Sequence, residues 1–366
     1  MPRISLRQLR QAYTISPLLS RLLPACRDLT SAQNELRWLQ EHATATAKNK
    51  SGVQIRRKLA VMCERRRRGV PLQYIIGTQP FGDLDIHCAP GVLIPRPETE
   101  AYTAHLAHLL NNRELLGPRD PKQPLRVMDF CTGTGCIPLL LYSVLVKRFP
   151  NLTVRGVDIS PVALQVSNRN LRSAVSSGHI PPPTSTQTVS FLHGDVLSKH
   201  WVDTHLAGSR CDVLVSNPPY VSSQAWNLAR DGLSYSARKY EPKLALVPGD
   251  DARVPEGRCL HEDVFYAALL DITLVIDPSV VLFEVGGAQQ AERVVQLAME
   301  HAFGKNADFE LWRDYPDIHS SPDEADDDVG DVLKIRDDPG HNGVVPVRGC
   351  GNIRSVLIRK IGSSRV

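Results

Sequence analysis

No apolar run in this chain approaches the ~18–20 residues that a helix needs to cross a bilayer, so no membrane partner is expected. Charge of one sign is also scarce. The 43 Lys and Arg stand against 39 Asp and Glu, and the formal net charge of +4 is too small to imply a nucleic-acid partner. No basic, aromatic-rich recognition domain stands out either. Eight cysteines occur without the paired spacing of a metal site and without the density of a small disulfide framework, so no metal is expected. Cys131 and Cys136, which straddle a Gly-rich turn, read as small core-compatible residues in a reducing compartment. No internal repeat is visible. What remains is a chain of 366 residues, 42% hydrophobic and 22% charged, ordinary for a folded protein and long enough for two domains.

The N-terminus lacks acids altogether until Asp28, while Arg3, Arg7, Arg10, Arg21 and Arg27 precede it. Two readings of residues 1–15 stand side by side: a mitochondrial transit peptide, or the first basic helix of the fold. From Ser16 to about Gly69 the period is helical, with Leu36, Trp38 and Leu39 following a Ser31/Glu35 pair that suits an N-cap. A second helix over 55–69 closes on Arg65, Arg66, Arg67 and Arg68 before Gly69, as expected where cations complement a helix dipole. Residues 16–78 thus form a helical N-terminal domain. Residues 79–97 form a β-hairpin connector, with a hairpin strand over 81–87 and a helix starting near Glu98.

Beyond residue 98 strands alternate with helices. Strands are expected at 125–130, 154–158, 189–192, 213–216 and 280–285, and helices at 137–147, 160–172, 262–276 and 289–303. A final pair at 309–312 and 353–359 closes the pattern. Such alternation specifies an α/β fold, a mostly parallel sheet with helices on both faces. Residues 179–188, rich in Pro, Ser and Thr, and the acidic stretch 320–343 read as flexible inserts.

The most informative segment is Val213-Leu214-Val215-Ser216-Asn217-Pro218-Pro219-Tyr220. Neither proline has an N–H to donate, so the buried strand must stop there. The carboxyl edge of such a strand is where open α/β sheets bind ligands. The Asn217 side-chain oxygen and the Pro218 carbonyl can accept both hydrogens of a planar NH2 group, with Tyr220 packed on its face. The first strand of the sheet ends in Asp129-Phe130-Cys131-Thr132-Gly133-Thr134-Gly135, a turn that lets a ligand approach the backbone. Asp158 ends the second strand, placed for ribose hydroxyls, and Asp195 follows the third, placed for an adenine amino group, with Val196 beside it. Three acids at successive strand ends suit a nucleoside with a positively charged tail, which is S-adenosylmethionine.

The chain here resembles the HemK/PrmC-type protein-(glutamine-N5) methyltransferases, and within them the mitochondrial release-factor enzymes. The marks run from Pro71-Leu72-Gln73-Tyr74 with Gly77, through Ile94-Pro95-Arg96-Pro97-Glu98-Thr99-Glu100, the 129–135 loop, Asn217-Pro218-Pro219-Tyr220 and Glu241-Pro242 with Leu244-Ala245-Leu246. They end in Phe283-Glu284-Val285-Gly286, Arg313-Asp314-Tyr315 and Gly351-Asn352-Ile353-Arg354. The resemblance implies a Rossmann-like class I methyltransferase with a seven-stranded sheet, acting as a monomer in the mitochondrial matrix, with the cytoplasm as alternative. It implies methylation of the glutamine in the Gly-Gly-Gln loop of a release factor. Asn217, Pro218 and Tyr220 would do the chemistry and Arg96, Glu98 and Pro219 would join them in shaping the glutamine pocket, although a salt bridge fixing the hairpin explains Arg96 and Glu98 equally. Glu284 reads as a cap on the Gly286-Gly287 turn. Two residues depart from the family pattern. Cys131 stands where members carry Gly, and fits only with negative φ and its side chain turned away. Val196 replaces an aromatic residue, so adenine stacking must come from elsewhere. Asn-Pro-Pro-Tyr also occurs in adenine-amino methyltransferases of nucleic acid. That activity and a non-catalytic assembly factor are the competing functions.

Overall fold

The computed structural model describes residues 4–47, 51–116, 120, 123–228, 234–253, 257–318, 332–334 and 344–361. Its first unit is helical: α1 (Leu6–Ile15), α2 (Pro17–Cys26), α3 (Leu29–Ala45), α4 (Gly52–Arg67) and the short α5 (Leu72–Ile76). Leu19, Leu22, Leu23, Leu36, Leu39, Leu59 and Met62 recur at helical spacing and close one apolar cluster, against which Ile4, Leu9 and Ala12 also pack. The segment 4–15 is therefore part of this unit in the folded chain. The cap of helix α3 lies three residues before the expected one, because Asp28 rather than Ser31 does the capping: its Oδ1 accepts from Ser31 N at 2.7 Å.

Three arginines of the run pair with acids of the same unit. Arg66 makes a two-pronged pair with Glu35 (2.6 and 2.8 Å), both side chains almost buried, while Arg67 and Arg68 pair with Glu64. Arg65, Arg66 and Arg67 lie in the last turn of α4, with Arg68 as its cap.

Strands β1 (Thr78–Phe81) and β2 (Leu84–His87) form an antiparallel hairpin. It is pinned at its turn by Glu100 Oε1, which accepts from Gly82 N at 2.9 Å, and at its end by Asn170 Oδ1, which accepts from His87 N at 2.8 Å. Helix α6 (Pro97–Asn111) follows.

The larger unit then runs β3 (Leu125–Phe130), α7 (Cys136–Leu145), β4 (Leu152–Asp158), α8 (Pro161–Ser176), β5 (Gln187–His193), α9 (Lys199–His205), β6 (Val213–Ser216), α10 (Ser223–Leu228), α11 (Tyr235–Tyr240), α12 (Val264–Ile276), β7 (Val280–Glu284), α13 (Ala288–Glu300), β8 (Ala307–Tyr315), β9 (Val332–Lys334), β10 (Val344–Arg348) and β11 (Cys350–Lys360). The sheet order is β5-β4-β3-β6-β7-β11-β8-β10-β9. Neighbours from β5 through β7 are parallel, and β11 runs antiparallel to β7 and β8. The seven expected strands are joined at the edge by β10 and β9, the latter inside the stretch read as an acidic insert, the rest of which lies outside the described residues. Gln187 and Thr188, expected at the end of the other insert, belong to β5: its register opposite β4 starts at Gln187.

Period-two alternation splits the core over the two faces of the sheet. Val127, Val213, Val215, Val280 and Leu282 meet α6 and α7. Met128, Phe130, Leu214, Val281 and Phe283 meet α12 and α13. The chain leaves β3 outward through β4 and β5, then returns to β6 on the other side, so the strand order reverses between β3 and β6. Phe130, Ser216 and Phe283 are in register, and the Ser216 hydroxyl donates to the Phe130 carbonyl at 2.7 Å. Asn217 is thereby set beside Cys131 at the carboxyl edge, at the topological switch point.

Candidate active site

The turn after β3 is built on three consecutive-odd positions with positive φ: Cys131 (62°), Gly133 (55°) and Gly135 (77°). Cys131 is a correction. It was expected to need negative φ, yet it adopts the left-handed conformation that a glycine would take there at no steric cost, and its side chain packs against the α12/α13 core. Gly135 has no substitute, since a Cβ on it would meet the Phe191 ring at 2.7 Å. The turn is fastened from both sides: Thr132 N donates to the Val157 carbonyl at 3.0 Å, and Gly133 N to Asp158 Oδ2 at 2.8 Å.

These residues line a cavity of about 440 Å³. Cys131, Thr132, Gly133, Thr134, Asp158, Asp195, Val196, Asn217, Pro219 and Arg96 all reach its wall. Asp129, Gly135, Pro218, Tyr220 and Glu98 do not. Glu98 is one residue out of phase. Helix α6 begins at Pro97, and the 100° step per residue turns Thr99, not Glu98, to the cavity. Thr99 was missed, as were Leu244 and the stretch from Gly249 to Arg253 that follows the tip in sequence. Phe265 was missed too. It is the aromatic side chain on the wall, from α12, on the same cavity as Val196. Thr99 and Leu244 lie within the family marks without being singled out as site residues; for 249–253 and Phe265 no local pattern stands out, because the chain returns to the cavity through long-range packing.

One half of the cavity is electrostatically unbalanced. Asp129 is fully buried behind the turn with no cation beside it among the described residues, and the buried Thr132 hydroxyl is the neighbour that favours its charge. Burial first, and then the Asp158 charge, push Asp129 well above the usual carboxylate range. Burial also raises Asp158, although Gly133 N and Ser160 N donate to it. Asp195 Oδ1 accepts from Leu197 N at 2.9 Å. Burial of the Cys131 thiol, with the charges of Asp158, Asp129 and Asp195, pushes it up as well. Gly194 sets the Asp195 turn directly on the Trp201 indole, where a Cβ would come within 2.1 Å. None of the three carboxylates forms an ion pair among the described residues. An unpartnered buried carboxylate is costly, and a cationic, hydroxyl-bearing ligand relieves it. The donor set fits S-adenosylmethionine on that ground.

The other half is a fastened scaffold. Asn217 is half-buried and its side chain makes no hydrogen bond among the described residues, nor does the Pro218 carbonyl accept one. Tyr220, by contrast, is anchored. Its hydroxyl donates to Glu284 Oε1 at 3.1 Å and its ring edge lies against Gly286. It is thus placed behind the tip, not on the cavity wall as expected. Glu284 is not a turn cap. It is buried, and accepts from Thr99 Oγ1 at 2.7 Å as well as from Tyr220, which ties α6, β7 and the tip to one carboxylate. Gln290 takes the capping part, its Oε1 accepting from Gly286 N at 2.8 Å. Arg96 pairs with buried Glu241 at 2.7 Å, and Glu241 Oε2 accepts from Ile94 N at 3.0 Å. The salt bridge is real, but its partner is Glu241 rather than Glu98. Asp314 accepts from Asn352 N and Arg354 Nε, both at 2.9 Å, so the last sequence marks are joints between β8 and β11.

No family model matches the chain. A Schizosaccharomyces pombe protein named as a probable MRF1 mitochondrial N(5)-glutamine methyltransferase is 34% identical over 289 residues, 78% of this chain and 86% of that protein. The chain belongs to the N(5)-glutamine methyltransferase family. The mitochondrial MRF1 N(5)-glutamine methyltransferase of Saccharomyces cerevisiae is 37% identical over 248 residues, 68% of each chain. A release factor glutamine methyltransferase of Bacillus cereus is 31% identical, with 64% of this chain and 70% of that one aligned. Membership of this methyltransferase family agrees with a mostly parallel sheet whose strand order reverses over the cavity. Among the described residues no helix is long and apolar enough to cross a membrane, and no group of His, Cys, Asp and Glu could hold a metal ion.

Proposed function

We propose that this chain transfers the methyl group of S-adenosylmethionine to N5 of the glutamine in a Gly-Gly-Gln loop of a mitochondrial translation release factor, working as a monomer. One observation carries the reading: the unpartnered Asn217 side chain opens on the same cavity as the turn after β3, Asp158 and Asp195. Asp158 and Asp195, on the cavity wall, would hold the cationic nucleoside, with the Asp129 charge acting on it from behind the turn. Phe265 supplies the aromatic surface that Val196 lacks. When bound, S-adenosylmethionine supplies an electrophilic methyl carbon on a sulfonium.

The protein's own work is positioning. A glutamine nitrogen is a poor nucleophile because its lone pair is delocalised into the carbonyl. Asn217 Oδ1, on the cavity wall, accepts one of its hydrogens, and the Pro218 carbonyl, between the wall residues Asn217 and Pro219, is the acceptor for the other, which turns the nitrogen toward the methyl carbon. Two prolines hold both acceptors rigid. Fixing reactants in this way is worth ~7–11 kcal/mol of barrier in favourable cases. The nitrogen becomes acidic once it carries the methyl group and gives its proton to solvent, so no strong base is needed. Arg96, braced by Glu241, and Thr99, braced by Glu284, form the wall on the substrate side.

The test is incubation with methyl-labelled S-adenosylmethionine and purified mitochondrial release factor, followed by mass mapping. Label on the Gly-Gly-Gln glutamine is expected, and Asn217→Ala is expected to lower turnover by ~10²–10³-fold, as removal of one key positioned polar group does. Label in nucleic acid alone would point to adenine methylation instead. Failure of wild-type protein to bind S-adenosylmethionine in calorimetry would point to a non-catalytic fold.

A further inference from the structure

The Asn-Pro-Pro-Tyr tip has no regular secondary structure of its own, yet its angle decides where the two acceptors point. The structure holds it at Tyr220 twice. The hydroxyl goes to Glu284, and the main-chain carbonyl accepts from Gln290 Nε2 at 3.2 Å. Gln290 is a buried side chain on α13 whose every polar atom is committed. Oε1 takes Gly286 N at 2.8 Å, and Nε2 also donates to Asp263 Oδ1 at 2.8 Å. Asp263, just before α12, is buried in turn and is gripped by Arg293 Nε at 2.5 Å and Nη2 at 3.1 Å, while Glu262 stands 3.6 Å from the same guanidinium. A single amide thus joins the end of β7, the start of α12, the first turn of α13 and the catalytic tip. It lines no part of the cavity.

We propose that Gln290 is a positioning residue for methyl transfer, setting the angle of Asn217 and the Pro218 carbonyl through the Tyr220 main chain. The proposal rests on the methyl-transfer reading above. An amide is required because it must accept from Gly286 N on one side and donate to two oxygens on the other. A carboxylate there keeps the first bond, loses both donations and faces Asp263.

The experiment follows from that chemistry. In Gln290→Glu, the new carboxyl faces Asp263, Glu262, Arg293, Tyr220, Glu284 and Tyr266, the last of which donates its hydroxyl to the Glu284 carbonyl. Burial and the Asp263 charge favour its protonated form, against the pull of Arg293. Once protonated it can donate again. At neutral pH and saturating S-adenosylmethionine, kcat for release-factor methylation should fall on the order of 10–100-fold, the scale of a small misplacement of reacting groups. KM for S-adenosylmethionine should stay within about twofold, since no cofactor contact is touched. As pH falls, the ratio of variant to wild-type kcat should rise. Gln290→Met, similar in length without a donor, should lose kcat with no such recovery. A purely structural role would lower the melting temperature of both variants and leave the kcat ratio flat with pH. Unchanged kcat in Gln290→Glu, or a loss that does not recover on acidification, overturns the proposal. Should that variant not fold, Asp263→Asn is measured in its place, since it removes the charge that orients Gln290; unchanged kcat there overturns the proposal equally. Wild-type protein run alongside separates the two levels: no turnover by wild type sinks the methyl-transfer reading and this proposal with it, whereas normal wild-type turnover beside unaffected variants sinks this proposal alone.

Discussion

The two lips of the cleft use the same residue type in opposite ways. On the β3–β4–β5 side Asp129, Asp158 and Asp195 form no ion pair among the described residues, and Asp129 is fully buried with only the Thr132 hydroxyl to favour its charge. On the β6–β7 side every buried acid is spoken for: Glu241 by Arg96, Glu284 by Thr99 and Tyr220, Asp263 by Gln290 and Arg293, Asp314 by Arg354 and Asn352. Folding tolerates an unpartnered buried carboxylate poorly. Where one persists, its partner arrives from outside. Where all are matched, the acids are joints. The contrast supports the proposed reading, in which the first lip takes a cationic ligand and the second holds the tip still.

The largest effect should come from the unmatched lip. Asp129→Asn keeps size and removes charge. It should weaken S-adenosylmethionine binding by ~100-fold, about 2.7 kcal/mol, the scale of one charge acting on another across several ångströms of protein. The same variant should melt higher than wild type without ligand. The sign follows from burial. Asp129 is raised in the folded state, so its contribution to stability is full below the unfolded carboxylate range and is lost as pH rises through its folded value. As pH rises above the unfolded carboxylate range the wild type loses that contribution, whereas the variant has none to lose. A cationic ligand favours the ionised form, so binding should release protons and tighten as pH rises. Calorimetry in buffers of different ionisation enthalpy reads this directly. A destabilised Asp129→Asn with normal affinity would make Asp129 a joint like the others and erase the contrast between the lips.

The matched lip should respond in reverse. Glu284→Gln leaves two hydroxyls, on Thr99 and Tyr220, competing for one carbonyl oxygen. Stability should drop by ~1–3 kcal/mol, as expected for a buried donor left without its acceptor. Turnover should fall with it, while affinity for S-adenosylmethionine stays within about twofold. Denaturant melts and calorimetry on one preparation separate the two readouts. A large loss of cofactor affinity would mean that the lips are not independent.

How much of this could be read from the chain follows the same division. Strands buried on both faces announce themselves as short apolar runs, so β3 and β6 begin and end at the expected residues. The turn after β3 and the tip after β6 were legible because glycine and proline act locally. The matched lip was not. Thr99 against Glu98 is a question of helix phase, and the first turn of α6 carries both. Glu241, Glu284 and Gln290 have meaning only through partners 145, 185 and 70 positions away. The edge strand β9 is three residues long, inside an acidic stretch where no periodicity could show it.

The smallest effect sharpens the comparison at its boundary. Cys131 sits on the unmatched lip in a conformation that costs a non-glycine residue roughly 1–2 kcal/mol. Cys131→Gly removes that strain. It also frees the unfolded chain, which takes back ~0.4–1 kcal/mol, and it gives up the packing of the thiol against the α12/α13 core. The net gain should be under about 1 kcal/mol, a rise in melting temperature of a few degrees at most. Affinity for S-adenosylmethionine should stay within about threefold, because the backbone already holds the conformation that glycine would choose and Gly133 N is already fixed on Asp158. A clear loss of stability would show that the thiol's packing outweighs the strain. A gain in affinity of tenfold or more would show instead that the side chain obstructs the ligand, and that the turn, like the carboxylates around it, has not settled until the ligand is in place.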